Sequence, residues 1–259
     1  MPTQLQHFSH QEFDQVLRQY VNGEGRVDYR SLQAQPRQFE RYYQQIATVS
    51  PDSHPAAFSN QADQLAYWIN AYNAAVIKTV LSYYPIKSIE DVKPPTPLFF
   101  LPDNTGFFLF QKPVFGGVTA SLYYVENSVI RERFSEPRIH FALNCASHGC
   151  PKLPRYAFTG ELLDEQLDSE ARKFFAETRN FRIDHGLETI FMSSILDWYQ
   201  DDFISWYQQQ YPDQDATLIN YISLYVAANK LEQLQGKALH YPIQFTPYDW
   251  SLNDQNANP

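Results

Sequence analysis

The chain has 259 residues, of which 44% are hydrophobic and 19% charged, and it carries a net charge of −9. That length suits one large domain or two small ones, with a sizeable core, and the composition is that of a globular protein. The acidic balance argues against nucleic acid as the main partner, because phosphate binding needs clusters of Lys and Arg. The apolar runs are too short to span a bilayer.

Aromatic residues make up 16% of the chain. Most such rings fill a core, and a ring-lined binding cleft is the alternative use. The N-terminus Met1-Pro2-Thr3-Gln4-Leu5 has no basic stretch followed by an apolar run. The expected location is therefore cytoplasmic, or extracytoplasmic if a leader was trimmed. Cys145 and Cys150 are the two cysteines. They make neither a disulfide framework nor, by themselves, a four-ligand zinc site. No cofactor and no metal are expected.

In chain order, Ser9-His10-Gln11-Glu12 fits a capping box ahead of an apolar stripe, Phe13, Val16, Leu17, Tyr20 and Val21. Asn22-Gly23 ends that helix. A second helix is predicted over about 62–84, burying Leu65, Trp68, Ile69, Tyr72, Val76 and Val80 and stopped by Pro85. The stretch from Lys93 to Pro102 is proline-rich and reads as a stiff loop. Phe107 to Val114, with the segment after Gly116-Gly117, reads as a hairpin, and Ser121 caps a helix to about Arg133.

Arg138 to Cys145 alternates and reads as a strand, with Ile139, Phe141, Leu143 and Cys145 on one face and His140, Ala142 and Asn144 on the other. A helix follows from Thr159 to about Arg179, then a hairpin over 181–192 about Gly186. Ser194-Ile195-Leu196-Asp197 is a second capping box, opening a helix with Leu196, Tyr199, Phe203 and Trp206 on one stripe. Thr217 to Leu234 is one long helix, and the tail after Pro242 is extended. Helices dominate and strands sit apart from them in hairpins, so the fold class is α+β: a single, mainly helical domain over 1–259 (core about 10–252) with a small antiparallel sheet.

The segment Asn144-Cys145-Ala146-Ser147-His148-Gly149-Cys150-Pro151 is the richest in chemistry. A thiol in a loop at the end of a strand is a candidate nucleophile, if a base or a positive field lowers its pKa. The alternative for Cys145 is a small buried hydrophobe. On an unbroken strand His140 would lie ~16 Å from Cys145 with its side chain on the opposite face, so the two form a dyad only if the chain folds back. His148 is nearer along the chain, and His185 or His240 are candidates from elsewhere. Cys145 and Cys150 are also a candidate redox pair, which needs their Cα atoms within about 7 Å. Glu126 neighbours Leu122, Val129 and Ile130 on its helix, which makes it the best candidate for a carboxylate drawn toward a core, with Arg131 or Arg138 as partner. Asn70 and Asn73 share one side of their helix, where Asn is disfavoured. Their amides are expected to satisfy buried loop backbone or to orient a catalytic group.

The motifs Val27-Asp28-Tyr29, Trp68-Ile69-Asn70-Ala71-Tyr72-Asn73-Ala74, Tyr84-Pro85-Ile86-Lys87-Ser88-Ile89 and Pro137 to Ser147 resemble the family called domain of unknown function 547. Gly149 to Leu153, Trp198 to Phe203 and Tyr248 to Leu252 extend the resemblance. It implies that Asn70, Asn73, Glu126, His140, Asn144, Cys145 and Ser147 are motif positions. Members of that family often carry His after the motif Glu, where this chain has Asn127. A fold-level analogy reaches to transglutaminase-like and papain-like thiol enzymes, which face Cys and His across a cleft.

The expected function is then a thiol-dependent hydrolase or acyltransferase, with Cys145 as nucleophile and His140 or His148 as base. Glu126 joins these as a candidate catalytic acid, and Asn144 or Asn70 would orient or hold the oxyanion. Asn70, Asn73, Ser147, Trp68 and Trp198 are the candidate substrate contacts. The alternative is a non-catalytic module binding a small molecule, peptide, glycan or protein, and the third reading is the Cys145/Cys150 redox pair.

Overall fold

In the computed structural model, which describes residues 7–98 and 100–256, the N-terminal part is built on four α-helices: α1 (Gln11–Tyr20), α2 (Tyr29–Ala34), α3 (Arg37–Thr48) and α4 (Gln61–Tyr83). The chain divides into two compact units. The first runs to Phe134 and adds Ala142–Leu163 and the segment from Trp250 onward; the second comprises Ser135–Phe141 and Asp164–Asp249.

Helix α4 is the axis of the first unit. Nearly every side chain from Leu65 to Val80 is buried, which places it at the centre rather than on a surface. Asn60 caps it, accepting the backbone N–H of Asp63 at 2.8 Å. The same unit buries Phe13 and Tyr42, stacked with ring centroids 4.8 Å apart, together with Phe39, Tyr67, Phe107 and Phe158. Each buried ring of this kind stabilises the fold by about 1.5–3 kcal/mol before ordering costs.

The first capping box is not formed. Helix α1 starts at Gln11, and Glu12 turns to Arg41 at 2.7 Å instead of back to its own helix. The predicted strand at Phe107 is a single helical turn, Thr105–Phe108. The hairpin is shorter, β1 (Val114–Phe115) against β2 (Val118–Thr119) across Gly116-Gly117, both in left-handed backbone. Ser121 caps the next helix as expected, but after Tyr124 the chain widens into a seven-residue π-helix, Val125–Arg131.

The strand expected over 138–145 is absent. Pro137–Phe141 is a 3₁₀ turn, and side chains of both parities from Ile139 to Asn144 are buried, so the alternation does not sort one face from the other. In the second unit, β3 (Phe181–Asp184) and β4 (Thr189–Ser193) form the expected antiparallel hairpin. The extended tail adds β5 (Ile243–Thr246) parallel to β4, which makes this small sheet mixed. The helix cap lies one residue earlier than predicted, at Ser193, whose hydroxyl accepts the N–H of Ile195.

The last long helix breaks into Leu218–Ser223 and Ala228–Gln235, because Tyr225 and Val226 turn inward to the core. That core gathers Phe141, Phe174, Phe175, Phe181, Met192, Leu196, Phe203 and Tyr221. The α+β class with mainly helical content therefore holds. Among the described residues no helix is long and apolar enough to cross a membrane.

Candidate functional site

Asn70 and Asn73 project from one side of α4, and each amide clamps a peptide unit of another segment. Asn70 donates to the carbonyl of Phe158 at 2.7 Å and accepts the N–H of the same residue at 3.0 Å. Asn73 donates to the carbonyl of Ala142 at 3.0 Å and accepts the N–H of Asn144 at 2.8 Å. A carboxamide is a peptide group on a side chain, so it supplies the pairing that a neighbouring strand would give. This takes up both amides in holding backbone and satisfies the Ala142 carbonyl and the Asn144 N–H without a sheet.

Asn144 passes the same role onward. Its amide donates to the carbonyl of Pro151 at 2.7 Å, and its oxygen accepts the N–H of Ala146 at 2.9 Å. Asn253 also donates to that oxygen, at 3.2 Å. Asn253 then receives the Tyr29 hydroxyl at 2.8 Å and donates its own backbone N–H to Ala146 at 3.0 Å. His148 donates its backbone N–H to Ser251 at 2.8 Å, and Ser147 bridges Leu252 antiparallel. The segment 251–254 is thus a strap laid along the cysteine loop.

Inside this frame the loop turns at Ala146, whose φ of +63° is uncommon for a residue with a side chain. The turn brings the Cα atoms of Cys145 and Cys150 to 6.1 Å, and the two sulfurs are joined in a disulfide. Cys150 is buried and Cys145 is half-buried. The backbone N–H of Cys145 lies 2.8 Å from the Cys150 sulfur. The Ser147 hydroxyl is 3.1 Å from the Cys145 sulfur and 3.4 Å from that of Cys150. In the disulfide Cys145 carries no thiol, so the expected acyl-transfer nucleophile exists only in the reduced chain.

The other candidates have separate settings. Glu126 stands on the π-helix and accepts the Tyr72 hydroxyl at 2.8 Å, while Asn127 accepts from Arg131 at 2.6 Å. Arg138 does not serve Glu126. In the second unit it binds Glu136, Asp164 and Asp168. His140 is also in the second unit, whereas Cys145 is in the first. Its Nε2 is 2.8 Å from Asp202, and its ring stacks on Tyr199 at 3.8 Å. Trp198 is 48% exposed beside Tyr248. Trp68 is buried and lines a separate cleft. His185 contacts Tyr241 and Gln233 at the surface, and His240 is exposed. Among the described residues no group of His, Cys, Asp and Glu is arranged to hold a metal ion.

Sequence reasoning missed Asn253 and Asp202. Asp202 lies within Trp198 to Phe203, so a motif did mark its neighbourhood, whereas Asn253 sits just past the last one.

The first unit is thus a helical frame whose Asn73 holds the backbone that leads into the cysteine loop. The model of the family described as "Protein of unknown function, DUF547" matches residues 56–175, which contain α4, the π-helix and the whole cysteine loop. The resemblance to that family is thereby borne out over this stretch. No curated protein and no solved structure matches the chain.

Proposed function

We propose that Cys145 and Cys150 form a reversible thiol–disulfide site, with Cys145 as the exchanging sulfur and Cys150 as the resolving one. The observation that carries this reading is the asymmetry of the bonded pair. Cys145 is the more exposed residue, while the sulfur of buried Cys150 faces the backbone N–H of Cys145 at 2.8 Å. A backbone donor of that kind favours a thiolate and makes Cys150 the better leaving group.

An incoming thiolate attacks the Cys145 sulfur, the Cys145–Cys150 bond breaks, and its electron pair leaves on Cys150. A second substrate thiolate then attacks the substrate sulfur of the mixed disulfide and releases Cys145 as thiolate. In sum, two substrate thiols become one substrate disulfide, and two electrons and two protons reduce the protein pair. The reverse reaction reduces a substrate disulfide at the expense of the dithiol.

The test is intact-mass analysis of protein purified without reductant and alkylated in denaturant, followed by equilibration in graded dithiothreitol buffers. No alkylation before reduction, two additions after it and a reversible midpoint are expected. With oxidised glutathione, Cys150→Ser is expected to trap a mixed disulfide on Cys145, and Cys145→Ser to trap far less on buried Cys150. Two free thiols under all buffers, or equal trapping by both variants, would defeat the proposal.

A further inference from the structure

The first unit contains a cleft of about 200 Å³ that the cysteine loop does not line. Its floor is apolar. Trp68 and Phe115, both buried, meet with ring centroids 6.0 Å apart, and the π-helix contributes Val125 and Val129. Its wall needs a glycine: a Cβ on Gly116 would stand 2.1 Å from the Ser50 hydroxyl. The rim holds one charge of each sign. Arg133 Nη1 lies 2.6 Å from Asp52, the two side chains are 41% and 53% exposed, and the guanidinium sits 6.0 Å from the Trp68 ring.

Size and charge together restrict the ligand. A dry cavity of about 150 Å³ accommodates benzene, so this cleft suits a single six-membered ring with a short stem. The apolar floor excludes a charged group, whereas the rim can take a carboxylate on Arg133 and an ammonium on Asp52. An exposed ion pair contributes little, so exchanging its partners for those of a ligand costs little. The guanidinium has five donors, and the pair with Asp52 engages one of them, which leaves the fork able to grip a carboxylate without leaving the rim.

We infer that this cleft binds a free aromatic amino acid, with its ring on the Trp68–Phe115 floor and its carboxylate and ammonium groups on Arg133 and Asp52. A ligand of this size in a half-open cleft is expected to bind in the low-millimolar range.

The experiment is a titration of the full chain with L-phenylalanine, hydrocinnamate and phenethylamine, followed by amide and indole N–H shifts in NMR. L-phenylalanine is expected to shift the Trp68 indole resonance saturably, and each analogue lacking one charge to bind about fivefold more weakly. Arg133→Gln is expected to weaken L-phenylalanine and not to weaken phenethylamine, because it removes the cation that competes for Asp52. Ala120→Phe, which fills the cleft, is expected to abolish binding. No saturable shift up to about 20 mM ligand, well above the expected affinity, overturns the inference. Equal binding of all three ligands overturns it too, because the rim charges would then play no part. The Arg133→Gln arm decides the matter even if Ala120→Phe does not fold.

Discussion

The carboxamide oxygen of Asn73 accepts the backbone N–H of Asn144 at 2.8 Å, which ties the centre of helix α4 to the residue that precedes Cys145. The same amide donates to Ala142, so one side chain satisfies two buried backbone groups. Asn73→Ala leaves both without a partner and is expected to cost about 2–4 kcal/mol in urea unfolding. Asn73→Asp keeps the acceptor but loses the donor and sets a carboxylate against the Ala142 carbonyl. It is expected to be no more stable than the alanine variant. A near-neutral Asn73→Asp would show that the amide nitrogen contributes nothing.

Asn253 links the strap to both Asn144 and Tyr29. The Tyr29 hydroxyl is fully buried, so Asn253→Ala orphans it at a cost of about 1–3 kcal/mol. Removing the hydroxyl as well should relieve that penalty. The double variant Tyr29→Phe/Asn253→Ala is therefore expected to be at least as stable as Asn253→Ala alone. A double-mutant cycle by thermal unfolding checks this, and strictly additive losses would count against the link.

These two residues also mark what the sequence could and could not convey. The i, i+3 spacing places Asn70 and Asn73 on one side of a helix, where two amides can hold loop backbone. Their partners were out of reach, because Phe158 lies 88 residues from Asn70 and Ala142 lies 69 residues from Asn73. The Cys145–Cys150 pair was legible only as a distance condition, which the left-handed Ala146 meets. The strand expected at 138–145 failed for a related reason. Alternation reports a half-buried strand, and here both parities are buried while a side chain on α4 takes the backbone groups. Asp202 was hidden from His140 by 62 residues and by the break between two short helices.

His10 gives the first unit a pH response. Its Nδ1 is 2.8 Å from the Tyr42 hydroxyl, among the rings of Phe8, Tyr42 and Tyr67. Burial disfavours the imidazolium and pushes its pKa down from 6.5 to about 3. Between those values the unfolded chain binds a proton that the folded chain refuses. The contribution of the neutral ring is thus full above pH 6.5 and is lost as pH falls toward 3. The loss is about 1 kcal/mol over the first pH unit. His10→Gln cannot titrate, so the stability difference between wild type and variant should shift in favour of the variant from pH 7 to pH 5. A pH-independent difference would refute the assignment.

Arg138 organises the second unit by its fork. Nε and Nη2 hold Glu136 at 2.8 and 2.6 Å, Nη2 also reaches Asp164 at 2.8 Å, and Nη1 reaches Asp168 at 2.7 Å. The arginine side chain is only 12% exposed, so the arrangement is mostly shielded from solvent. Removing the cation leaves three carboxylates near one another, Glu136 among them largely buried. Arg138→Ala is expected to destabilise the chain by about 3 kcal/mol, in the range for breaking one side of a buried pair. Arg138→Lys restores the charge but not the planar fork, since one ammonium cannot hold Glu136 at two oxygens and still reach both aspartates. It is expected to recover less than half of the loss in denaturant unfolding. Full recovery by lysine would mean that charge alone matters here and that the fork geometry does not.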